Sequence, residues 1–251
     1  MFLIPDRQSS AVTGSQFCQN NLSNKVSERE ANILTEFLAG NIPSFLRNFC
    51  EVKVTNGNNT IVYLAMPDYL SIGSDDDYVR MPMNPLTAQK IANQYNCTLP
   101  TKKMVDDIWK QADNKLPALP NGPPYDSSML STDRFIKQNN KINAQMVNKD
   151  KSKLTAGHKK DVVLTNKLAP NNPNHRVAIY GWFNSDGSVI QGPVPNASSH
   201  EDSYLDYSHG LRMIARDVMV NDNAMDISDV FSNAEYCKLI SDEGILNFKS
   251  Y

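Results

Sequence analysis

All four histidines of this 251-residue chain, His158, His175, His200 and His209, fall between positions 158 and 212, in a stretch rich in other proton-handling side chains. The stretch closes with HEDSYLDYSHGLR. That places two imidazoles, three carboxylates (Glu201, Asp202, Asp206), the Ser208 hydroxyl and the Arg212 guanidinium close together in sequence. Such a mixture is costly to bury unless its members pair, and functional sites are where mutually perturbing charges gather. The expectation is that Asp206, Ser208, His209 and Arg212 share a cleft with His200 and with the loop Gly157-His158-Lys159-Lys160-Asp161. Gly210 fits this expectation by letting the backbone approach a ligand just after His209.

Two kinds of chemistry follow from that span. His200, Asp206 and His209 carry the imidazole nitrogens and carboxylate with which a catalytic zinc is held while one position stays open. Their spacing matches no standard zinc motif. This is the metal-dependent hydrolase reading, with Glu201 or Asp202 as base. Tyr180, Trp182, Tyr204 and Tyr207 offer rings that either stack on a sugar or fill a core. With the basic loop at His158 and Lys159 they describe a non-catalytic domain that binds glycan or peptide.

The elements that must position these groups are legible in the periodicity. Ser27 with Glu30 forms a capping box ahead of ANILTEFLAG, whose apolar positions share one face and which Gly40 ends. Asn41-Ile42-Pro43 opens a second short helical piece. EVKVT and TIVYLA then alternate around Asn56-Gly57, the signature of a β-hairpin. SIGSDDDYVRMPM is a solvated acidic loop, since the ligand spacing of a calcium loop is absent. Asn84-Pro85 starts one helix and Pro100-Thr101 the next. Residues 115–125 hold four prolines and are the one place for an internal domain boundary; otherwise 1–251 reads as a single domain. A polar helix is expected over 132–147. DVVLTNKL, HRVAIYGW and GSVIQG, the last two joined through Asp186-Gly187, form an antiparallel meander. LRMIARDVMV is a further long strand that turns at Asn221-Asp222-Asn223. Ser232 with Glu235 caps a terminal helix that Gly244 stops. The class is α+β: N-terminal helices and a β-hairpin, then a C-terminal antiparallel sheet with a terminal helix.

Cys97 falls between the two central helices, a few residues before an N-terminus whose partial positive charge lowers a thiol pKa if the geometry aligns them. A cysteine so placed, followed much later by DVVL…HRVAIYGW…DGSVIQ, resembles the papain-like cell-wall hydrolases of the NlpC/P60 and CHAP type. The resemblance covers residues 161–192 plus one cysteine. It implies Cys97 as nucleophile, His175 as base and Gln191 as the group that orients the base. Asn96 and Thr98 stand where those families place Asp and Ser. SHGLR also resembles the SHGC…R motif of L,D-transpeptidases, with Leu211 in the nucleophile's place, so that Ser208, His209 and Arg212 are left to bind an anionic or peptide substrate. The resemblance implies a hydrolase of a peptide or peptidoglycan-like substrate. From their own types and positions, Tyr180, Trp182, His158 and Lys159 are expected as further substrate contacts. It names no cofactor.

Composition narrows the partners. Twenty-five Lys and Arg against 27 Asp and Glu give a formal charge of −2, and no basic block is present to release counterions from a phosphate backbone. Nucleic acid is not an expected partner. No run of about 18 apolar residues is present to span a bilayer. Cys18, Cys50, Cys97 and Cys237 allow two disulfides in three pairings, and sequons begin at Asn21, Asn58, Asn96 and Asn196. Both features point to a secreted or periplasmic protein whose leader is absent from this chain.

Overall fold

The computed structural model describes residues 4–192 and 200–251; the sequon at Asn196 lies outside them. Near the N-terminus, α1 (Gly14–Asn20) precedes α2 (Val26–Leu38). The capping box of α2 lies elsewhere than expected: it is Glu28 that reaches back, accepting the Lys25 backbone N–H at 3.1 Å. Ser27 therefore sits inside the first turn, and Glu30 joins Ile33 and Phe37 on the buried face. Gly40 takes φ +74° just beyond the helix end, and Ser44–Arg47 form one 3₁₀ turn.

β1 (Cys50–Asn56) and β2 (Asn59–Ala65) make the expected hairpin, with Asn56 paired to Asn59 so that Gly57 and Asn58 form the turn. The acidic segment is the turn of a second, short hairpin, β3 (Ser71–Gly73) with β4 (Tyr78–Arg80). α3 (Pro85–Gln94) starts where expected, because the Asn84 side chain accepts the Thr87 N–H at 2.8 Å and Pro85 has no N–H to leave unpaired. β5 (Cys97–Thr98) then leads to α4 (Lys102–Gln111), capped by Thr101. After β6 (Asn114–Lys115) and the proline-rich loop comes α5 (Thr132–Gln145).

The β-rich half holds β7 (Thr155–Ala156), β8 (Lys160–Val162), β9 (Ile179–Phe183), β10 (Val189–Gln191) and β11 (His209–Gly210). The order β10-β9-β8-β11 contains the expected meander, with β11 added parallel to β8. The long strand expected at 211–220 is broken into β12 (Ile214–Ala215) and β13 (Asp217–Val220), because Arg216 leaves the ladder to bond Asn96 O through its N–H and Asp226 through its side chain. β14 (Asn223–Asp226) follows. Helix α6 (Ile227–Ser232) ends at Ser232, so Ser232 caps nothing after it; Asn233 Oδ1 instead accepts the N–H groups of Glu235 and Tyr236 ahead of a 3₁₀ turn, Tyr236–Leu239.

The fold is α+β with mostly antiparallel sheets, but helices and strands are interleaved rather than segregated. The larger sheet runs β14-β13-β2-β12-β5 with β1 on β2, so the N-terminal hairpin is completed by C-terminal strands. One apolar cluster extends from Phe17 to Phe248. Among the described residues no helix is long and apolar enough to cross a membrane.

Candidate functional site

The parallel pairing of β11 with β8 sets the site. It matches His209 with Lys160 and Gly210 with Asp161, which brings HEDSYLDYSHGLR beside the GHKKD loop. Gly210 is required because a Cβ there would stand 2.5 Å from Tyr69 Cδ1 and 2.7 Å from Lys159 Cβ. The glycine admits the Tyr69 ring, and no opening for a ligand results.

Beneath this ladder lies a fully buried ionic network. Asp68 accepts from Arg80 Nη2 at 2.6 Å and from His158 Nε2 at 3.0 Å, and Arg80 continues to Asn139 and Asn143. Burial alone would raise the Asp68 carboxyl; Arg80 and His158 outweigh it and hold it well below the usual carboxylate range. Tyr69 donates to Asp161 Oδ2 at 2.7 Å, and Arg212 bonds the carbonyls of Met66 and Thr155 at 2.6 Å each. Burial pushes the Asp161 carboxyl up to about 7 against the opposing pull of Arg212. It lowers His158 to about 4 and Lys159 to about 7, and the Lys159 ammonium donates to Tyr207 O at 2.7 Å. His158, Lys159, Asp161 and Arg212 are thus joined, but as supports of the fold with no exposed surface.

The second group stands above that network. Asp206 accepts the Ser208 N–H at 2.7 Å, the Ser208 hydroxyl at 2.5 Å and the Tyr204 hydroxyl at 3.3 Å. Burial works against its charge, but His209, Lys160 and Ser208 keep its carboxyl below the ordinary value. The Tyr204 ring stacks on His200 at 3.5 Å and meets His209 edge-on at 5.7 Å. His209 is 0% exposed, and neither of its ring nitrogens has a hydrogen-bond partner among the described residues. Burial lowers it to about 4, so at neutral pH it is an uncharged imidazole.

His200 and Tyr204 open onto a cavity of about 800 Å³. The first turns of α2 supply Val26, Ser27 and Glu30, the cap of α3 supplies Asn84, and Leu130 adds an apolar wall. Arg176, Glu201 and Ser203 complete the lining, held by an isolated antiparallel backbone β-bridge between Arg176 and Glu201 and by the Val177 N–H, which donates to His200 O at 3.1 Å. Burial pushes the Glu30 carboxyl up to about 7, and partial burial in the wall lowers His200. Asp206, Ser208, His209 and Arg212, expected to share a cleft with His200, are buried and do not line it.

The remaining candidates are elsewhere. Cys97 is 0% exposed on β5, opposite Ala215 of β12; its thiol contacts Tyr95 O at 3.5 Å, and burial pushes it up to about 12. A nucleophile needs thiolate and access, and this cysteine has neither. The lowered pKa expected from the α4 N-terminus is therefore corrected to a raised one: Cys97 is paired into a strand and desolvated. All four cysteines are free thiols, so none of the three disulfide pairings forms. His175 is exposed at φ +47° and bonds Asp202 at 3.2 Å. Gln191 lies on β10 opposite Gly181 and donates its amide to Gly192 O. Tyr180 donates to Asp106 at 2.7 Å, and Trp182 donates to His158 O at 3.2 Å beneath Lys160, so both rings belong to the core. Tyr204 stands between His200 and His209, and among the described residues no three His, Cys, Asp or Glu side chains are placed to hold one ion.

The sequence reading missed Glu30 and Asn84. Glu30 did carry a signal, since it falls three and seven positions before Ile33 and Phe37 on the inward stripe, where a carboxylate is out of place. No family model, curated protein or solved structure matches this chain.

Proposed function

We propose that the chain is a hydrolase acting on a peptide or peptidoglycan-like substrate bound in the cavity, with His200 as its base. One observation carries the reading: an exposed imidazole stacked on Tyr204 in the cavity wall, backed through the Tyr204 hydroxyl by the buried Asp206 carboxylate. Partial burial keeps His200 uncharged and able to accept a proton, while the Asp206 charge favours the imidazolium that forms when it does. Tyr204 is held as a phenol, because burial and Asp206 both raise it. Ser27, Asn84 and Ser203 offer hydrogen bonds to amides, and Val26 and Leu130 offer apolar contact. The cavity volume falls within the roughly 300–1,000 Å³ usual for ligand sites. Cys97 has no part in this reading.

The second reading, a peptide- or glycan-binding domain, is favoured by the burial of His209 and Asp206, which do not line the cavity. Incubation with purified peptidoglycan fragments at pH 7 separates the two. Release of new primary amine supports the hydrolase; saturable binding in calorimetry without amine release supports the binding domain.

A further inference from the structure

Glu30 faces the same cavity as His200, and its surroundings suit a proton donor better than a fixed charge. It lies on the inward stripe of α2, only 6% exposed, and its carboxyl oxygens accept the Asn84 N–H at 3.3 and 3.4 Å. No ion pair to Glu30 is present among the described residues. The neighbouring Arg29 guanidinium is committed to Leu130 O at 2.7 Å and Thr132 Oγ1 at 3.2 Å, and it lies over the Phe135 ring. Burial favours the neutral form of this carboxyl and outweighs the Thr87 and Asn84 hydrogen bonds and the attraction of Arg29, which favour its charge. Two groups therefore line one cavity from opposite elements: a neutral imidazole on the 200–204 loop and a protonatable carboxyl on α2. Environments that push two titratable groups towards complementary forms are how acid and base roles become divided.

We infer that Glu30 is a further catalytic residue of this cavity, the acid that protonates the leaving nitrogen of the scissile amide. The inference rests on the hydrolase reading. A ring nitrogen of His200 takes a proton from water as an oxygen lone pair of that water forms a bond to the carbonyl carbon. In the collapse of the adduct the C–N bond breaks, its electron pair stays on nitrogen, and the Glu30 O–H proton is transferred to that nitrogen. The products are a carboxylic acid and an amine, and Glu30 recovers a proton from the imidazolium through solvent. The charged or titratable groups around Glu30 are Arg29 on its own helix and Arg176, His200, Glu201 and Tyr204 across the cavity; α3 contributes the uncharged Asn84 and Thr87. Since burial pushes Glu30 up to about 7, the reaction slows as pH rises through that value.

The alternative role for Glu30 is structural: it anchors the start of α3 through Asn84. Glu30→Gln keeps an acceptor oxygen and the side-chain shape, so it separates the two. The substrates are a peptidoglycan tetrapeptide amide and the p-nitrophenyl ester of the same acyl group, whose leaving group needs no proton. The expected result for Glu30→Gln is a kcat on the amide lower by about 100-fold or more, loss of the high-pH limb near pH 7, little change on the ester, and an unchanged Tm. Glu30→Asp, which keeps an acid, should retain more amide activity than Glu30→Gln. Equal loss on amide and ester, or wild-type amide activity in Glu30→Gln while His200→Ala is inactive, overturns the role of Glu30 alone. A wild-type protein that turns over neither substrate overturns the hydrolase reading and the role of Glu30 with it.

Discussion

Among single side chains, His209 is the least conventional, because a fully buried imidazole whose two nitrogens have no partner among the described residues gives up its hydration without replacement from them. Its charge state ties it to pH. The unfolded chain takes up a proton on this residue below about 6.5, whereas the folded protein resists until about 4. The associated stability is therefore present above pH 6.5 and is lost as pH falls towards 4. His158 adds a loss in the same window. Replacing His209 with Gln should flatten the dependence of the urea midpoint between pH 6.5 and 5 relative to wild type; an identical slope in the variant would show that His209 is not the group responsible. At this scale the sequence marked the right neighbourhood by clustering its histidines. It did not mark which members open to a cavity, since that depends on whether Tyr204 and the 200–204 turn cover them.

Elements were legible where their signals are local. Asn84-Pro85 and Thr101 cap α3 and α4 as their types require, and Gly57 turns the first hairpin. The failures arise where a distant partner decides. Arg216 breaks the long strand to reach Asn96 and Asp226, and Glu30 leaves the capping role for the inward face of α2. β11 is two residues long and pairs parallel with a strand some fifty positions earlier, so no alternation in its own sequence announces it. Its geometry makes a sharp demand at one position: Gly210→Ala drives a methyl group into Tyr69 and Lys159. Overpacking of this kind costs about 1–3 kcal/mol or more. Thermal unfolding should register the loss, and an unchanged Tm would mean that Tyr69 moves aside freely.

For the whole molecule, the α+β class was legible in the sequence, but that the N-terminal hairpin and the C-terminal strands share one sheet was not. Long-range pairing leaves no signature in the spacing of either partner. The same holds for the network of Asp68, Arg80 and His158, drawn from three separated segments and buried between the sheets' connecting loops and α5. Removing one member strands the others without water: Asp68→Ala should cost about 3–5 kcal/mol in urea unfolding. A cost below about 1 kcal/mol would show that the network relaxes without it.

The central claim is that chemistry takes place in the cavity walled by His200 and Tyr204 and not at Cys97. Release of primary amine from purified peptidoglycan fragments at pH 7 tests this most directly when Cys97→Ala and His200→Ala are compared with wild type. The account predicts that Cys97→Ala keeps wild-type turnover, since its thiol is buried on β5, and that His200→Ala falls by about 100-fold or more with its Tm preserved. Loss of turnover in folded Cys97→Ala, with His200→Ala as active as wild type, would contradict it.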